Sequence, residues 1–134
     1  MRFSHKITII NIDKPIKKNI NEDLQFLGSS LGLFGLRDKD KSCYRIFLEL
    51  LKAAKIKVGL SSDELAAKLE LSRGTAVHHL NKLMEAGIAI NIRNRYYLRE
   101  ENLKYVILKI KKDLEDSVNE LIDIAEEIDD AIGL

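Results

Sequence analysis

Residues Gly59–Leu98 read GLSSDELAAKLELSRGTAVHHLNKLMEAGIAINIRNRYYL, and their order decides the fold. Ser61 followed three residues later by Glu64 forms a capping box, in which the serine accepts from one orphan amide and the glutamate returns to another. Leu65, Ala66 and Leu69 then give a short helix one buried face. Leu71-Ser72 closes it, and Ser72 is placed to cap a second helix over about Arg73–Glu85. Ala76, Leu80 and Leu83 lie on the core side of that helix, flanked by Val77 and Met84, while Thr75, His78, Asn81 and Lys82 project the other way. Gly87 ends it. Ile88–Ile92 alternates like a strand, Arg93-Asn94-Arg95 is a turn, and Tyr96–Leu98 returns, so a hairpin with two arginines at its tip is expected.

The neighbouring segments extend this unit. From Ser42, Cys43, Ile46, Phe47, Leu50, Leu51 and Ala54 share one helical face, and Arg45, Glu49, Lys52 and Lys55 share another. This is expected to be the first core helix, with Cys43 a buried structural thiol. Lys6–Ile12 (KITIINI) is rich in β-branched residues and predicts a short strand or extended arm, ended by Asp13-Lys14-Pro15. Asn21 is expected to cap a short helix carrying Leu24, Leu27 and Leu31, stopped by Gly32 and Gly35. The small residues Gly28-Ser29-Ser30-Leu31-Gly32 suggest close packing at a dimer interface. Arg37–Lys41 reads as a solvated charged loop.

From Asn102 onward there is no proline, and no glycine until Gly133. Ile107, Leu114, Leu121 and Ile128 recur every seven residues, and Ile110, Ser117, Ile124 and Ala131 occupy the alternate seam positions, an a/d heptad pattern. Val118, Ile122 and Ile132 widen the stripe. A helix of about 30 residues spans roughly 45 Å, more than so small a domain covers alone. A dimerisation helix is expected, with Ile107, Ile110, Leu114, Leu121, Ile124 and Ile128 in the seam. The competing expectation is a helix that folds back on its own domain.

Composition bounds the function. The 134 residues carry a net charge of only +1, but the charge is polarised. Of 21 acids, nine fall from Asp113 onward with no Lys or Arg among them, leaving 12 acids against 22 basic residues, a net of +10, in the first 112. A basic body with an acidic tail suits a protein in which one part meets a polyanion. No run of about 18 apolar residues suggests a membrane span, and Met1–Lys6 starts a poor signal peptide. The single cysteine excludes an internal disulfide framework and suits a reducing cytoplasm. No phosphate loop, nucleophile elbow or zinc-protease motif is present, so an enzyme is not expected. His78 and His79 point about 100° apart on a helix and cannot readily chelate one ion; no metal or cofactor is expected.

The residues Ser61, Glu64, Leu65, Ala66, Leu69, Leu71-Ser72-Arg73-Gly74-Thr75, His79-Leu80, Leu83, Ala86-Gly87-Ile88 and the arginine-tipped hairpin resemble the winged-helix transcription regulators of the ArsR-like and MarR-like superfamily, its archaeal members in particular. The resemblance covers about residues 42–99. It implies a homodimeric DNA-binding repressor or activator, with Arg73, Gly74, Thr75, His78, Asn81 and Lys82 in or near the major groove and Arg93 and Arg95 on phosphate or in the minor groove. It departs from metal-sensing relatives, which often place paired cysteines in these helices.

The residue chemistry independently suits those roles. Arg and Lys pair with guanine, Asn with adenine, and the threonine methyl meets thymine. Gly74 permits close backbone approach, and a helix N-terminus favours phosphate. Arg73, nearer the core side, suits phosphate more than a base. A solvated helix face would look similarly polar, but no acid occurs from Arg73 to Met84. The expected fold is mainly α with a small β component (α+β): an N-terminal arm and short helix over 1–41, a winged helix-turn-helix over 42–99, and an acidic coiled-coil-like helix over 100–134. The expected function is sequence-specific binding of double-stranded DNA by a cytoplasmic homodimer, with room for an effector or protein partner. The alternative is a winged-helix protein-interaction module of the transcription machinery that reads no DNA sequence. RNA binding has less support, since only Tyr96 and Tyr97 offer stacking surfaces near the basic face.

Overall fold

A computed structural model describes residues 5–16, 18–35 and 41–134. The expected loop residues Arg37–Asp40 and the opening residues 1–4 lie outside the described residues. The elements, in chain order, are α1 (Ile20–Ser30), α2 (Ser42–Lys55), α3 (Ser62–Leu69), α4 (Arg73–Glu85), β1 (Ala89–Ile92), β2 (Arg95–Leu98) and α5 (Leu103–Ile132). Helices α2, α3 and α4 pack around one core, and the antiparallel β1–β2 hairpin closes its side, with Ala89 opposite Leu98 and Ile92 opposite Arg95. Leu60 adds a bridge to Tyr96, their amides and carbonyls exchanging bonds of 3.1 and 2.8 Å. This is a winged helix with a long C-terminal helix appended.

The core is apolar and fully closed. Ile46, Phe47 and Leu50 of α2 meet Leu65 of α3, Leu80 and Leu83 of α4, Ile88 before the hairpin and Val106 of α5, all out of contact with solvent or nearly so. Each such side chain contributes about 1.5–3 kcal/mol by leaving water. Cys43 is buried among them. Glu49 belongs to the second, charged face of α2. It is buried, held by Lys68 at 2.8 Å and Lys52 at 3.3 Å. Burial pushes its carboxyl up, but the hydrogen bonds and charges of Lys68 and Lys52 outweigh that and leave it below the usual value.

Helix ends follow local chemistry closely. Ser61 and Glu64 make both bonds of the capping box. The Ser72 hydroxyl accepts from the Thr75 amide at 3.1 Å, and the Asn102 side chain accepts from the Tyr105 amide at 2.9 Å. Gly87, at φ +82°, ends α4 with the Ile88 amide reaching back to the Leu83 carbonyl.

The N-terminal segment departs from expectation in its helix cap and at Gly28, and of the two forms open to Lys6–Ile12 it takes the extended arm. Asn19, not Asn21, caps α1 by accepting from the Glu22 amide, while Asn21 Oδ1 accepts from the Tyr44 hydroxyl at 2.5 Å. Residues 5–15 form an extended arm and no strand. Beyond its turns the arm is fastened by two backbone bonds, Lys6 to the Glu85 carbonyl and Ile10 to the Ser30 carbonyl, and with no strand beside it no ladder forms. Gly28 serves its own chain: a Cβ there would lie 1.8 Å from the Phe34 ring, which folds down on α1 and packs edge-on to Tyr44 at 5.3 Å. No helix among the described residues is long and apolar enough to cross a membrane.

Candidate nucleic-acid interface

Helix α4 is built with two faces. Ala76, Leu80 and Leu83 are wholly buried, and the outward positions Arg73, Gly74, His78 and Asn81 are exposed. The short turn before it is made possible by Glu70 in the left-handed region, at φ +55°. That turn leaves the N-terminus of α4 open. A Cβ on Gly74 would meet nothing within 4 Å, so packing within the chain does not require glycine there.

The remaining outward residues of α4 are partly engaged. The Thr75 hydroxyl accepts from Ser72 Oγ at 2.8 Å, which commits it to the cap. His78 and His79 have ring centroids 5.3 Å apart, edge to face. Lys82 is half-buried, and its ammonium donates to the Leu33 carbonyl at 2.9 Å, tying α4 to the turn after α1. The structure therefore places Lys82 against the N-terminal segment rather than straight outward.

The hairpin separates its two arginines. The turn has two residues, Arg93 and Asn94, both at positive φ (53° and 64°), where three were expected. This is the twist-matched geometry of a tight hairpin, and Asn91 Oδ1 supports it by accepting from the Asn94 amide at 3.0 Å. Arg93 is exposed at the tip and has no hydrogen-bond or ion-pair partner among the described residues. Arg95 instead opens β2. Its guanidinium donates to the Gly59 carbonyl at 2.9 Å and to both Glu64 oxygens at 3.1 and 3.4 Å. Arg73 is similarly paired: its Nε lies 3.4 Å from Asp63. Sequence reasoning missed these acid partners, because the capping box accounted for Glu64 and nothing local signals a contact 31 residues away.

Arg99, at the base of the hairpin, points inward. It donates to Asp113 at 2.8 Å and toward the Gly87 carbonyl at 3.4 Å, fastening hairpin to α5. His5 also approaches Asp113, at 3.4 Å. Burial, then the nearby Arg99 charge, lower the His5 pKa against the opposing pull of Asp113.

Helix α5 divides its expected seam. Ile110 lies in the chain's own core with Val106, and Leu114 packs half-buried beside them, so the structure spends Ile110 inside one chain rather than in an open seam. Ile107, Leu121, Ile124 and Ile128 remain exposed. Between Ile9 of the arm and Ile107, Ile110, Leu114 and Val118 of α5 runs an apolar groove of about 560 Å³.

Helix, short turn, outward-facing second helix and hairpin together define a winged helix-turn-helix. Over residues 40–92 the chain matches the profile of a helix-turn-helix domain family of ArsR type, which supports a DNA-binding regulator. No curated protein and no solved structure matches the chain significantly.

Proposed function

We propose that this chain is a sequence-specific, double-stranded DNA-binding transcription regulator that acts as a homodimer in a reducing cytoplasm. The observation that carries this reading is the outward face of α4, where His78 and Asn81 stand exposed beside the open Gly74 with no acid between Arg73 and Met84. Helix α4 would enter the major groove by that face, with Asn81 suited to adenine and the Thr75 methyl to thymine. Arg93, exposed at the wing tip without a partner among the described residues, would grip phosphate or enter the minor groove. The exposed Leu121, Ile124 and Ile128 of α5, and the groove beside Ile9, supply apolar surface for a second copy.

Two substitutions separate base reading from backbone gripping. Arg93→Ala is expected to weaken binding on every duplex and to reduce the slope of log affinity against log salt by about 0.9, one phosphate contact. Asn81→Ala is expected to change preference among duplexes by about 1–3 kcal/mol at one position while leaving that slope alone. Unchanged preference after Asn81→Ala would mean that this face does not read bases.

A further inference from the structure

Two of the proposed DNA-contacting arginines are already occupied by carboxylates, and both carboxylates come from adjacent residues. Asp63 takes Arg73, which opens α4, and Glu64 takes Arg95, which opens β2. The two acids sit in the first turn of α3. All four side chains are about half exposed or more, so solvent and ions reach both pairs. We infer that Asp63 and Glu64 are internal stand-ins for phosphate, and that DNA binding exchanges carboxylate for phosphate at Arg73 and Arg95. This rests on the DNA-binding reading proposed above.

The chemistry of the exchange is balanced. A guanidinium fork matches carboxylate and phosphate in the same bidentate geometry. Exposed ion pairs are weak, so the carboxylates are displaceable, but they are not free to displace. A polyanion gains from Arg73 and Arg95 only when it approaches closely enough to replace both acids. The pairs thereby subtract affinity from loose encounters and keep the two guanidinium groups oriented before contact. Arg95 retains its bond to the Gly59 carbonyl, so it stays at the wing base when Glu64 lets go.

The test uses the full chain and a labelled duplex of mixed sequence, followed by fluorescence anisotropy across salt. Glu64→Gln keeps the capping geometry, since glutamine still reaches the Ser61 amide, and removes only the charge. It is expected to raise affinity by up to about fivefold, the reach of one exposed pair. Arg95→Ala is expected to lower affinity and to reduce the salt slope by about 0.9. Glu64→Gln placed in the Arg95→Ala background should then give no gain. An equal gain in both backgrounds would overturn the exchange, because it would mean that Glu64 acts only as a distant negative charge. No gain in either would overturn it as well, while leaving wild-type DNA binding intact. If the wild-type chain does not bind the duplex, the DNA-binding reading itself fails and the exchange fails with it.

Discussion

The two halves of α5 carry one apolar stripe, broken in the seam only by Ser117, and meet opposite fates. In the first half Val106 and Ile110 are 0% and 2% exposed, closed against the core of their own chain. In the second, Leu121 and Ile128 are 66% and 53% exposed, and every residue from Glu115 onward stands in solvent. The stripe alone does not distinguish these cases, because a seven-residue spacing records that a face is to be buried and not by whom. Length resolves it. The helix of 30 residues extends about 45 Å, and the winged helix beneath it covers only the first turns.

The strongest way to break this comparison is to put charge on the outer half. In sedimentation equilibrium the unsubstituted chain is expected to give twice the 15.3 kDa of one chain, and Leu121→Asp with Ile128→Asp is expected to leave a folded species of 15.3 kDa. A wild-type chain that sediments at 15.3 kDa would contradict the outer half as a dimer element. Ile110→Ala, on the inner half, should instead cost about 2–5 kcal/mol of folding stability by chemical denaturation, the usual penalty for emptying a core site. Leu121→Ala measured in the monomeric background should change stability by no more than about 0.5 kcal/mol.

Glu49 sharpens the contrast between buried and exposed charge. Its pairing with Lys68 and Lys52 lowers its carboxyl in the folded chain. Stability from this group is therefore present above the ordinary glutamate value of 4.5 and is lost as pH falls through the lower folded value. Glu49→Gln should cost about 0.5–1.5 kcal/mol at neutral pH, the net worth of a hydrogen bond whose lysine partners stay solvated, and should flatten the acid limb of the thermal denaturation midpoint against pH. The nine acids from Asp113 onward contain no comparable buried pair except Asp113 with Arg99. Gly74 supplies an effect of opposite sign. Gly74→Ala meets no atom and should stabilise the fold by up to about 1 kcal/mol, yet weaken DNA binding if the backbone approaches DNA there.

Much of this architecture was legible in local sequence. Ser61 with Glu64, Ser72 and Gly87 are caps whose chemistry is complete within a few residues, so α3 and α4 could be placed from spacing alone. Features set by tertiary partners were not legible. Asn21 reads as a cap, but Tyr44 claims it and Asn19 caps α1 instead. KITIINI allows a strand or an extended arm, and the choice of the arm depends on there being no strand beside it. Ile110 looks like Leu121 until the core closes over it. Arg93 and Arg95 look alike in the hairpin turn, and only the folded chain brings Glu64 to one of them. In the interface, exposure supports His78 and Asn81 as readers, while the Leu33 carbonyl draws Lys82 aside.

The most direct test of the account is selection of bound fragments from random duplex DNA, with affinity followed against salt. The account predicts an enriched inverted repeat whose half-sites lie about one helical turn apart, 10–10.5 base pairs centre to centre, or a multiple of it. Salt-sensitive binding with no enriched motif would contradict it, and would point instead to a winged helix whose acidic, apolar α5 engages another protein.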